Sequence, residues 1–127
     1  MPKIKIDPVP KPRAVYSDKW AKRPVIMRYR AFCDELRLKL GSYKIPARVE
    51  MVFGIKMSKS WSLKKKDLTL GKPHQQTPDI DNCVKSVLDA LCENDSYVYE
   101  IHASKFWAKE GMIFIQELND TTNHNRV

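Results

Sequence analysis

Residues 47–57 change side at every position. Val49, Met51, Phe53, Ile55 and Met57 fall on one face, and Arg48, Glu50 and Lys56 on the other. That period predicts a half-buried strand. The same alternation predicts strands over 97–107 and 112–118, joined as a hairpin through Lys109-Glu110-Gly111, and a short strand over 3–7. From Val25 to Leu40 the spacing becomes helical: Tyr29, Phe32, Cys33, Leu36 and Leu40 form a stripe, and Gly41 is placed to end it. A second helix is predicted within 78–91 (PDIDNCVKSVLDAL), with Ile80, Val84, Val87, Leu88 and Leu91 as its apolar stripe.

Between these elements lie two connectors of different character. Prolines 8, 10 and 12 force an extended path on the first, which carries Lys11 and Arg13 and then Tyr16 and Trp20 among further basic residues. The second, 57–77, is long, polar and basic, with Lys59, Lys64, Lys65, Lys66 and Lys72. Connectors of that length inside a domain are functional or disordered. The tail 119–127 has no means of burying itself and is expected to fray. The order of elements predicts an α+β fold: one two-layer domain over 1–127, with a mixed sheet of about four strands and two main helices on one face.

Charge adds a direction. Residues 1–76 carry 19 Lys/Arg against 6 Asp/Glu, net +13, while 77–127 carry 4 against 9, net −5. A positive field of that size suits a polyanion, most plausibly nucleic acid, with Lys11, Arg13 and the 59–72 lysines on its backbone. Carboxylates in a nucleic-acid binder oppose binding unless they hold a cation, so the division points to a metal. Cys33, Cys83 and Cys92 have no zinc-ligand spacing and are read as free thiols of a reducing cytoplasm. No run is apolar enough to span a membrane.

The chemistry concentrates in the second helix. Asp79 occupies the N-cap position, and Asp81, Lys85 and Asp89 follow at one-turn intervals on a face away from the apolar stripe. Asp79 and Asp81, with Asp95 from the next turn, can supply oxygen ligands to magnesium, which keeps several waters and needs few carboxylates. Such a site supports phosphodiester hydrolysis by water, and Lys85 can steady the water or the charge on the transition state. The residues alone leave the alternative open. A D-x-D at a helix start is common: Asp79 can be a cap, Asp81 a first-turn acid, Lys85 a partner along the helix face and Asp95 a turn residue. The chain would then be a non-catalytic nucleic-acid-binding protein.

The run PDIDNCVKSVLDAL, followed by END and the strand YVYEIHASKFW, resembles the RusA-like Holliday junction resolvases. Their motif is D-x-D-N, a lysine four residues on, D-A-L and an acidic turn. Asp79, Asp81, Asn82, Lys85, Asp89-Ala90-Leu91 and Asp95 match in place, Lys105 resembles a lysine of the following strand, and PKPR at Pro10–Arg13 resembles the start of many members. The likeness covers 78–107 and the N-terminus, and is absent from 57–77. Some members have two consecutive acids in the turn where this chain has Asn94 before Asp95, with Glu93 the nearest substitute. The resemblance implies a small dimeric endonuclease, often carried by bacteriophages and prophages, that needs magnesium (or manganese in its place) and no small-molecule cofactor. Its substrate would be a four-way junction cut by paired symmetric nicks, in the cytoplasm of a bacterial or phage-infected cell. A nuclease for other branched DNA shares the same motif.

Geometry constrains the third aspartate. A helix from Asp81 to Leu91 spans about 15 Å, and four extended residues recover only about 13 Å. Either the turn doubles back along the helix, or Asp95 completes a site in a neighbouring subunit. A two-fold junction that needs two cuts favours a dimer with its sites near the interface.

Overall fold

The structure is a computed structural model and describes residues 2–12 and 24–119. The elements are β1 (Lys3–Lys5), α1 (Pro24–Leu40), β2 (Arg48–Lys56), α2 (Leu63–Thr69), α3 (Ile80–Leu91), β3 (Glu100–Ala108) and β4 (Met112–Glu117). Four strands form one mixed sheet in the order β1-β4-β2-β3. β2 runs parallel to β3, with Val49 opposite Ile101 and Phe53 opposite Lys105, and antiparallel to β4. The α+β fold expected from the pattern is the fold found.

The alternation in β2 places Val49, Met51 and Phe53 in the core with no exposed surface, against Ile113 and Ile115 of β4. Phe32, Cys33 and Leu36 of α1 and Cys83, Val87 and Leu88 of α3 close that core from one side. α1 begins on Pro24, whose missing N–H is harmless in a first turn. It stops at Gly41, whose φ of +41° is the left-handed conformation a helix end requires. The Gly41 N–H donates to the Arg37 carbonyl at 2.7 Å.

Three expectations change. First, β3 and β4 are not a hairpin, because β2 lies between them and the short connection 109–111 crosses over its end. Period-two alternation shows that a strand exists but not which strand it pairs with. Second, the 57–77 connector is not all loop. It contains α2, capped where the Ser62 hydroxyl accepts from the Lys65 N–H at 3.1 Å. α2 buries no residue, so no apolar stripe announces it. Third, the buried face of α3 is Cys83, Ser86, Val87, Leu88 and Ala90, rotated from the expected stripe. Ser86 can lie inside because its hydroxyl donates to the Cys83 carbonyl at 2.8 Å. Ile80, Val84 and Leu91 are only half-buried. Arg13, Tyr16 and Trp20 and the tail from 120 onward lie outside the described residues.

Candidate active site

β3 and the N-terminus of α3 together build the site. Ala103, Lys105 and Trp107 share one face of β3, the face that carries Met51, Phe53 and Ile55 in β2. A lysine in that row must find acceptors. Lys105 finds two: its ammonium donates to the carbonyls of Gln76 and Pro78, each at 2.8 Å. Those carbonyls belong to the segment that delivers Asp79, through the cis Thr77–Pro78 peptide. The backbone of His74 adds a bond from its N–H to the Lys105 carbonyl at 3.1 Å. The chain entering α3 is therefore clamped to the sheet immediately before the aspartates.

Asp79 is the N-cap of α3 by position, but its carboxylate makes no capping hydrogen bond. Asp81 stands in the first turn, and both side chains are exposed. Among the described residues neither has an ion pair. Both lie at the positive end of the helix dipole, which attracts negative charge such as a phosphate or a carboxylate. Cys83, one turn inside, reports the local field. Burial pushes its thiol up to about 11, with Lys105 pulling down and Asp79 and Asp81 pushing up. Lys105 and both aspartates thus lie close enough to act on one buried sulfur. A neutral, fully buried thiol is packing and not a nucleophile.

The remaining expected residues divide into two groups. Lys85 is exposed one turn beyond Asp81. Asp89, on the same face, is engaged elsewhere: it accepts from the Tyr29 hydroxyl at 3.0 Å and pairs with the Lys11 ammonium at 2.6 Å. Lys11 also donates its backbone N–H to the Asn82 carbonyl at 3.0 Å, so the N-terminal segment lies across α3. Asp95 lies beyond the other end of α3, next to Cys92 and Tyr97. Twelve helical residues separate the two ends by about 18 Å. Among the described residues no three His, Cys, Asp or Glu side chains gather closely enough to hold a metal ion. One chain therefore places Asp79 and Asp81 at the same end of α3 and Asp95 beyond the other.

The basic connector is carried to the same sheet edge. Gly71 donates to the Trp107 carbonyl at 2.9 Å, Trp107 donates to the Lys72 carbonyl at 3.0 Å, and Pro73 bridges Phe106. Lys59, Lys64, Lys65 and Lys72 are exposed along this segment, and Lys66 is half-buried. Spacing alone does not reveal a further cluster here. His74 is buried with its ring 4.4 Å from that of Trp107, whose ring lies 4.9 Å from that of Trp61. These residues come from three separate stretches, and the only sequence signal is the density of aromatics and lysines. An open cleft of about 540 Å³ lined by Lys5, Asp7, Arg28 and Glu35 includes none of the acidic residues of the site. The acidic pair lies on open surface, where a bulky polymer can reach it.

A model of the endodeoxyribonuclease RusA family matches residues 5–116. The chain belongs to that family. It is therefore a crossover junction endodeoxyribonuclease that hydrolyses phosphodiester bonds in junction DNA, and the purely DNA-binding alternative falls. Nucleases of this family generally depend on a divalent metal. No curated protein matches the chain. No helix among the described residues is long and apolar enough to cross a membrane.

Proposed function

We propose that the chain resolves Holliday junctions in the cytoplasm by paired symmetric nicks, with magnesium held by Asp79 and Asp81 and completed by Asp95. The observation that carries this reading is the state of Asp79. A side chain at an N-cap ordinarily satisfies a helix N–H, yet this carboxylate leaves that bond unmade, and it is exposed, as is Asp81 in the first turn. Two exposed carboxylates at one helix end, with no ion pair among the described residues, fit a hard cation that keeps waters and accepts one or two protein ligands besides a substrate phosphate. When bound, the metal supplies an activated water and charge stabilisation at phosphorus.

The chain's own residues supply the rest. Lys105 fixes the approach to α3 and so the angle of the carboxylates. Lys85 stands one turn above Asp81, within reach of the charge that grows on the phosphoryl oxygens. Lys59, Lys64, Lys65, Lys66 and Lys72 bind backbone phosphates along the β3 edge, with Lys11 and Arg13 contributing from the N-terminal segment. The position of Asp95 supports a homodimer in which it serves the partner's site, consistent with a two-fold substrate.

The test is direct. Purified protein and an end-labelled four-way junction, with and without magnesium, should yield symmetric nicks only when the metal is present. Metal-independent cutting, or none on a junction that the protein binds, would refute the metal assignment.

A further inference from the structure

We propose that Trp61 is a stacking platform for a base that leaves its pair at the branch of the DNA. This rests on the junction-DNA reading above and adds a binding site to it. Trp61 is half-buried at the base of the basic connector. The Lys65 ammonium lies 4.0 Å from the indole centroid, over the ring. Trp107 meets the same indole at 54° and backs it with a second ring.

The support is rigid. The Trp61 N–H donates to the Ser58 carbonyl at 3.2 Å, Ser62 caps α2, and the Gly71–Trp107–Lys72 backbone bonds fasten the connector to β3. An aromatic face on a fixed element is better placed to receive a ligand than one on a free loop.

Magnitudes favour exchange of the cation for a base. A cation over an exposed ring contributes a few-fold in an equilibrium constant. A stacked base contributes about fivefold to about a hundredfold. Lys65 is exposed and flexible, so it can leave the indole for a neighbouring phosphate and gain an ion contact as the base arrives. Exposed Lys59 and Lys64 lie two and three residues from Trp61 in the chain, and Lys72 is bonded through its carbonyl to Trp107, so the positive charge near the platform favours nucleic acid as the ligand class. Through Trp107, two residues beyond Lys105 on the same face of β3, the platform is tied to the strand that clamps the acidic pair.

The experiment uses the full chain and a four-way junction carrying 2-aminopurine at the branch, in chelator so that nothing is cut. Binding by the parent should quench the probe. Trp61→Ala should abolish the quench and weaken binding about tenfold, with an unchanged salt slope because stacking releases no counterions. Lys65→Ala should instead lower that slope by about one. Trp61→Phe, which keeps an apolar ring against Trp107, should give an intermediate quench and covers the case in which the alanine variant does not fold. Equal quench and equal affinity in Trp61→Phe, Trp61→Ala and parent would overturn the platform. A parallel cleavage reaction separates the two readings. Cutting by the parent without any effect of Trp61 overturns the platform alone, and absence of cutting overturns the junction reading and the platform with it.

Discussion

Asp81 carries its charge in the first turn of α3 with no protein partner among the described residues, so its removal should cost the fold little. Loss of groups that merely orient a metal ligand costs about ten- to a hundredfold. Asp81→Asn should therefore lower junction cleavage by about a hundredfold or more. In chelator, binding should be equal or tighter, because a charge facing phosphate is gone; a gel shift beside a cleavage time course checks both. His74 allows a pH prediction. Burial, helped by the Lys105 charge, lowers its pKa below the ordinary 6.5, and the Nδ1 atom has no hydrogen-bond partner among the described residues. The unfolded chain then binds the proton more readily than the folded one. The contribution of neutral His74 is present above pH 6.5 and is lost as pH falls through the depressed folded value. His74→Phe, which keeps a ring against Trp107, should flatten the fall in Tm on that acid side. At this scale the placement of Asp79 at the N-cap and Asp81 in the first turn was legible because cap position and helical spacing are local properties. The Lys105 clamp was not, since its acceptors lie 27 and 29 residues away.

α2 is the element that periodicity could not find: seven residues, three of them lysines, none buried. Only Ser62, a good N-cap residue, marks its start. It survives by being fastened at its C-terminal side to β3, so its function can be separated from the core. Replacing Lys64, Lys65 and Lys66 together with Ala should weaken junction binding and flatten the dependence of log K on log salt by about two to three. Tm should barely move. An unchanged slope in a salt titration would remove α2 from the contact surface. α3 was legible in extent but not in rotation, because Ser86 reads as polar yet satisfies itself inside the helix. β3 and β4 were legible as strands while their pairing was not. A one-dimensional pattern carries the facing of side chains, whereas pairing is decided by which buried faces match in three dimensions.

At the scale of the whole molecule, mixing of variants tests the proposal that Asp95 completes the partner's site. Dimers formed from equal amounts of Asp81→Asn and Asp95→Asn chains have one intact site if Asp95 acts across the interface, and none if it acts within its own chain. Cleavage recovered to about a quarter of the parental rate, from two inactive preparations, is the expected result. The sheet order has a different consequence. Lys3 pairs with Phe114 and Val49 with Glu117, so β1 and β2 depend on residues that follow them by more than sixty positions. No two consecutive strands are neighbours in a local hairpin. Refolding must therefore begin from distant encounters and belongs to the milliseconds-to-seconds class of non-local topologies. As the chain emerges, β2 can take β3 on one flank, while its other flank stays unmated until β4 follows to lie beside it.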